Sequence, residues 1–301
     1  MKLISLLIVF IFYTSLFSQD IIKDKPKTDD EIVLFGLREI NNCLHIIPIV
    51  IIKNKKLYQP PQIEYGKYDT KSSKFVFDYL QYGYSYFKAN SNSNSKAVVV
   101  SDKINTLIEV KNAACMQTVS ANVNIIEDSI KSHLKNCILT NSMFLSNRKP
   151  AVKVPTSETK AKAMELFVNF YQKENGINKA EMFSEESLIF VPPSYLQLDI
   201  LIGKFCIEQK GLDLKKYVSV FYQFRKSELQ IINYENLYRF SESGHDWYNR
   251  PFEFIDAVDV DFDNCNELVF YYSDGGYGYK IFKYDYYDNS WKLIYYTSDG
   301  C

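Results

Sequence analysis

Downstream of Tyr195, short apolar and aromatic runs alternate with polar turn signals, and few folds satisfy that pattern. The runs are Leu196 to Glu208, Tyr217 to Phe224, Leu229 to Tyr234, Phe252 to Asp261, Glu267 to Tyr272, Tyr279 to Tyr286 and Trp291 to Tyr296. Lys226-Ser227-Glu228, Asp274-Gly275-Gly276 and Asp288-Asn289-Ser290 punctuate them. Strands joined by such tight turns pair antiparallel, so the C-terminal half is expected to be an antiparallel β domain, a sandwich or partial propeller-like blades. In the last run Trp291, Leu293 and Tyr295 share one face by the period of two.

The N-terminal half is more mixed. Leu44 to Lys53 and Lys56 to Tyr58 flank Asn54-Lys55, a hairpin signal. Thr70 to Leu80 has the length of a short helix, and Ser91 to Ser95 reads as a loop. Ala97 to Val100, Thr106 to Val110 and Val119 to Ile125 are rich in β-branched residues and read as strands. A boundary is expected near Arg148-Lys149-Pro150. Beyond it Thr156 or Ser157 caps a helix over 157–175, whose Met164, Phe167, Val168 and Tyr171 form one apolar face before Asn175-Gly176. The expected class is β-rich α+β: a mixed domain over 19–150, then this helix and an antiparallel β domain over 151–301.

Lys2 followed by the apolar run Leu3 to Tyr13 reads as an export signal, residues 1–18, with cleavage after Ser18. The run is shorter than the roughly 20 residues a span requires, so no integral membrane segment is expected after cleavage. The protein is expected in the periplasm or outside the cell. The absence of Asn-x-Ser/Thr sequons and the Lys-, Ile-, Asn- and Tyr-rich composition suit a bacterial protein. Thirty-five Lys and Arg against 36 Asp and Glu leave a net charge of −1, which argues against a general nucleic-acid surface. Six cysteines permit 15 pairings. The boundary divides them into Cys43, Cys115 and Cys137, then Cys206, Cys265 and Cys301, so complete pairing requires a bridge between the halves.

The chemistry concentrates in Asp259-Val260-Asp261-Phe262-Asp263-Asn264-Cys265-Asn266-Glu267. Calcium takes six to eight oxygens at about 2.3–2.6 Å, and short acidic side chains on a tight loop can supply them. In a straight strand the three aspartates would lie about 7 Å apart and share no ion, so the chain must turn after Asp261. Asn264 stands where a positive φ is needed, a conformation Asn tolerates better than other non-Gly residues. The expected metal set is Asp259, Asp261, Asp263, the backbone carbonyl of Cys265, and Glu267. The competing expectation is a plain strand with Val258, Val260 and Phe262 inward and solvated aspartates outward.

This stretch resembles the calcium loops of FG-GAP/VCBS-type repeats, the integrin-like propeller family. Their plan is Asp-x-Asp-x-Asp-Gly-x-x-Asp/Glu-Leu leading into a strand, and here Asn264 replaces the Gly. Gly276-Tyr277-Gly278-Tyr279 to Tyr284-Asp285 and Trp291-Lys292-Leu293 look like the paired strands that follow such loops. The resemblance implies one repeat-like unit with a structural ion. It does not choose among adhesion, ligand binding and hydrolysis.

Two further features bear on function. His245-Asp246-Trp247-Tyr248 combines a base, an orienting carboxylate and a ring able to stack a sugar. Nine tyrosines (271, 272, 277, 279, 284, 286, 287, 295 and 296) crowd the C-terminal strands, as a binding surface or as core. No GxSxG, HExxH or phosphate loop is present. Three functions are therefore expected: a non-enzymatic binding or structural protein with a calcium-stabilised loop and a protein or glycan ligand, an exported hydrolase of glycans or peptides, and a cell-envelope interaction module using the Tyr-rich face.

Overall fold

The computed structural model describes residues 31–40, 42–63, 70–92, 95–101, 117–126, 137–146, 153–176, 181–191, 200–209, 214–225, 228–241, 250–273, 277–285, 287–288 and 290–298. The expected signal segment, the run 106–110 and residues 245–248 lie outside them. The described chain is β-rich, with antiparallel sheets and few helices, compatible with a β-rich α+β fold. Among the described residues no helix is long and apolar enough to cross a membrane.

The first sheet contains β1 (Glu31–Ile40), β2 (Cys43–Lys53), β3 (Lys56–Tyr58), β5 (Ser85–Lys88), β6 (Lys96–Val100), β8 (Ala121–Ile125) and β9 (Ile138–Thr140). Its order is β1-β9-β5-β6-β8-β2-β3, and β1 also pairs with β2, so six strands close into a barrel with β3 as an outer flap. The β2–β3 turn is Asn54-Lys55, with φ of 51° and 60°. Positive φ at both positions matches the right-handed twist of the paired strands. β4 (Gln62–Ile63) and β7 (Gln117–Thr118) form a separate small ladder.

Alternation along β1 gives the barrel two apolar sides. Val33, Phe35 and Leu37 enter the interior with Ile46, Tyr86 and Val98, joined by Phe75, Val76 and Tyr79 of α1 (Thr70–Tyr79). Leu34, with Ile52 of β2 and Ile138 of β9, belongs to a second cluster outside the barrel.

Two four-stranded meanders follow. One is β10 (Glu181–Val191), β11 (Ile200–Gln209), β12 (Leu214–Arg225) and β13 (Glu228–Ser241); the other is β14 (Arg250–Val258), β15 (Glu267–Ser273), β16 (Tyr277–Asp285) and β17 (Ser290–Ser298). The second meander is buried on both faces. Val269, Tyr279 and Ile281 pack on the barrel, while Leu268, Phe270 and Phe282 pack on Ile200, Ile202 and Phe221 of the other meander. A helix, α3 (Ser157–Asn175), covers the far side of β10–β13 through Ala163, Phe167 and Tyr171. The layers therefore run barrel, meander, meander, helix. Between β9 and α3 lies one turn of helix, α2 (Met143–Ser146).

Gly36 shows how closely barrel and meander approach. A Cβ there would lie 2.2 Å from the hydroxyl oxygen of Tyr279, so only glycine leaves room for that ring on β1. Tyr295 donates to the Ile49 carbonyl at 2.9 Å, and Asn90 donates to the Ala257 carbonyl at 2.5 Å, across the same seam.

Candidate metal centre

The acidic loop connects β14 to β15. β14 ends at Val258, and Val258, Val260 and Phe262 face inward as the plain-strand expectation has it, but Asp259 is fully buried rather than solvated, while Asp261 is half-buried and Asp263 exposed. Phe262 has φ 62° and Asn264 φ 69°, which supplies the turn after Asp261 that convergence requires. A bulky residue in the left-handed region is strained, and surrounding contacts hold Phe262 there. Its ring meets Phe144 of α2 edge-on at 5.6 Å and packs on the barrel-facing cluster that contains Val260.

Backbone amides wrap around the loop's own carboxylates. Asp259 accepts from the amides of Asp263 (3.1 Å) and Asn264 (2.8 Å). Asp263 Oδ1 accepts from the Cys265 amide at 2.8 Å, and Glu267 Oε2 accepts from the Val260 amide at 2.8 Å. These bonds satisfy donors that a tight loop would otherwise strand, and they fix where the remaining oxygens point.

Three carboxylates converge. One oxygen from each of Asp259, Asp261 and Glu267 lies within 4.8 Å of the other two. Two oxygens bound to one calcium at about 2.4 Å can be no more than about 4.8 Å apart, so the cluster could hold a metal ion. Asp261 Oδ1 and Glu267 Oε1 are buried and make no hydrogen bond, and the Lys283 ammonium stands 3.5 Å from the latter. Such acceptors are costly unless a cation or proton meets them. Asp263 stands beside this trio, with one oxygen on the Cys265 amide and the other facing Lys283. The Cys265 side chain is buried.

A residue outside the expected set completes the electrostatics. Lys283 of β16 ion-pairs with Asp261, with Asp263 at 2.6 Å and with Glu267 Oε1 at 3.5 Å. Register explains its position. Leu268 pairs with Phe282, so Glu267 and Lys283 stand one step further along the same antiparallel ladder. Counting outward from the Asp274-Gly275-Gly276 turn would have found it.

Burial dominates Glu267 and pushes its carboxyl up to about 8, against the opposing pull of the Val260 amide and Lys283. Burial alone would also raise Asp263, but Lys283 and the Cys265 amide outweigh it and hold that carboxyl below the usual range. Lys283 is treated likewise: burial would lower it, but its bonds to Asp261 and Asp263 hold the ammonium above the usual lysine range. Three carboxyl groups face the one ammonium, and Asp259 converges with two of them without meeting it.

The tyrosine crowd divides. Tyr279, Tyr284 and Tyr295 are buried, Tyr271 is half-buried under Arg38, and Tyr287 and Tyr296 are exposed. The side chains of Tyr272, Tyr277 and Tyr286 are outside the description, as are His245, Asp246, Trp247 and Tyr248. Comparison with protein-family models, curated proteins and solved structures returns no match.

Proposed function

We propose that this chain is an exported, non-enzymatic binding or structural protein whose 259–267 loop takes one calcium ion, with Asp259, Asp261 and Glu267 as its side-chain ligands. The observation that carries this reading is the convergence of those three carboxylates around buried oxygens that make no hydrogen bond. Oxygen-only donors at this spacing suit a hard cation rather than zinc or copper. The acidic plan Asp-x-Asp-x-Asp-Asn-x-x-Glu-Leu running into β15 supports calcium in the manner of an FG-GAP/VCBS-type unit, with β14–β17 as its blade-like sheet. The ion's role is structural. It ties the β14–β15 connection down where Val260 and Phe262 enter the seam with the barrel. The ligand served by the folded protein is a protein or glycan of the cell envelope or its surroundings.

Equilibrium dialysis against radioactive calcium tests the assignment. One ion per chain is expected, lost in Asp261→Asn, which keeps the amide-wrapped Asp259 intact. Absence of bound calcium in the natural chain, at the millimolar concentrations typical of extracellular modules, would overturn it.

A further inference from the structure

We infer that Lys283 is an internal competitor for the cation: its ammonium occupies the carboxylates in the absence of the ion and must leave when the ion binds. This inference rests on the calcium reading of the loop and concerns how the site is regulated. The ammonium meets Asp261, Asp263 and Glu267 together, and two of these residues belong to the converging trio. A divalent ion bound to Asp261 and Glu267 would face a like charge on the same two carboxyl groups, held by Oδ2 of Asp261 and 3.5 Å from Oε1 of Glu267. Two positive centres a few ångströms apart in a half-buried site repel strongly. The lysine can yield because its stem is flexible and its side chain is 27% exposed. Asp259 and Glu267 cannot, since each is anchored by backbone amides. Binding is therefore an exchange of one ammonium for one ion. The exchange lowers the calcium affinity of the loop and delivers Lys283 to solvent when calcium is present.

Two measurements on the full mature chain test the exchange. Calcium titration calorimetry compares the natural protein with Lys283→Met, which keeps the aliphatic stem. About tenfold tighter binding by the variant is expected from removal of the competing charge. Acetylation of the natural protein by a lysine-specific ester, read by mass spectrometry with exposed Lys292 as internal reference, should label Lys283 faster in calcium than in EDTA. Equal or weaker calcium binding by Lys283→Met, with labelling of Lys283 unchanged by calcium, would overturn the exchange while leaving the calcium site intact. Binding by the variant but not by the natural chain would uphold the competition and overturn the proposed calcium function. Failure of both proteins to bind calcium would overturn both.

Discussion

Single carboxylates set the character of the loop, because each is held by a different environment. Asp259 is satisfied by two amides, Asp263 by an amide and an ammonium, and Glu267 by an amide on Oε2, with the same ammonium 3.5 Å from Oε1. Asp256, at the end of β14, is a further buried carboxyl. Burial lifts it to about 7, against the weaker influences of the Ala257 amide and Lys88. Both Asp256 and Glu267 therefore hold a proton in the folded chain that the unfolded chain releases near pH 4. Their contribution to stability is complete below about pH 4 and is lost as the pH rises through about 7 and 8 respectively. Urea midpoints of the protein in EDTA should accordingly fall between pH 4 and 8, and Asp256→Asn should flatten the part of that fall below pH 7. An unchanged slope in the variant would contradict the burial argument. At this scale the sequence disclosed the acidic residues and the permissive Asn264. It did not disclose Phe262, whose left-handed backbone depends on a ring contact with α2.

Elements were legible where local signals agree with one another. For α3 the cap Thr156 accepts from the Thr159 amide at 3.2 Å, the face Phe167 and Tyr171 is buried, and Gly176 ends the helix at φ 82°. Its centre is Phe167, fully buried and stacked on Phe205 of β11 at 4.3 Å. Phe167→Ala should cost about 3–5 kcal/mol, seen as a lowered urea midpoint with little change in slope. A cost below about 1 kcal/mol would mean that this helix does not anchor the outer meander. The hairpin at Asn54-Lys55 was equally readable. β1 was not: Val33, Leu34 and Phe35 are consecutive and all buried, because one side faces the barrel interior and the other the meander, so no period of two survives. β10 was missed for the opposite reason. Most of Glu181–Glu186 is exposed or half-exposed on an edge strand, and the charged run hides it. Barrel closure depends on β1 meeting both β2, its neighbour in sequence, and β9, whose residues lie more than 100 positions away, a pairing that no local pattern encodes.

For the molecule as a whole, β14–β17 is the shared middle layer. Its residues complete one core with the barrel and another with β10–β13, so apolar burial runs without a break from the N-terminal strands to the C-terminal ones. The acidic loop sits at the rim of this layer, where Val260 and Phe262 enter the barrel-facing core and Lys283 leaves it. An ion bound there would act on the seam between barrel and meander rather than on an isolated surface loop. An ion bound only by the folded state stabilises it by about 2.7 kcal/mol at a hundredfold excess over Kd, which for a chain of this size raises the melting temperature by roughly 5 °C. The most direct measurement is therefore thermal unfolding of residues 19–301 in calcium and in EDTA, with Asp261→Asn beside it. A higher Tm in calcium, absent from the variant, is the predicted result. The same Tm in calcium and in EDTA for the natural chain would contradict a calcium-stabilised loop.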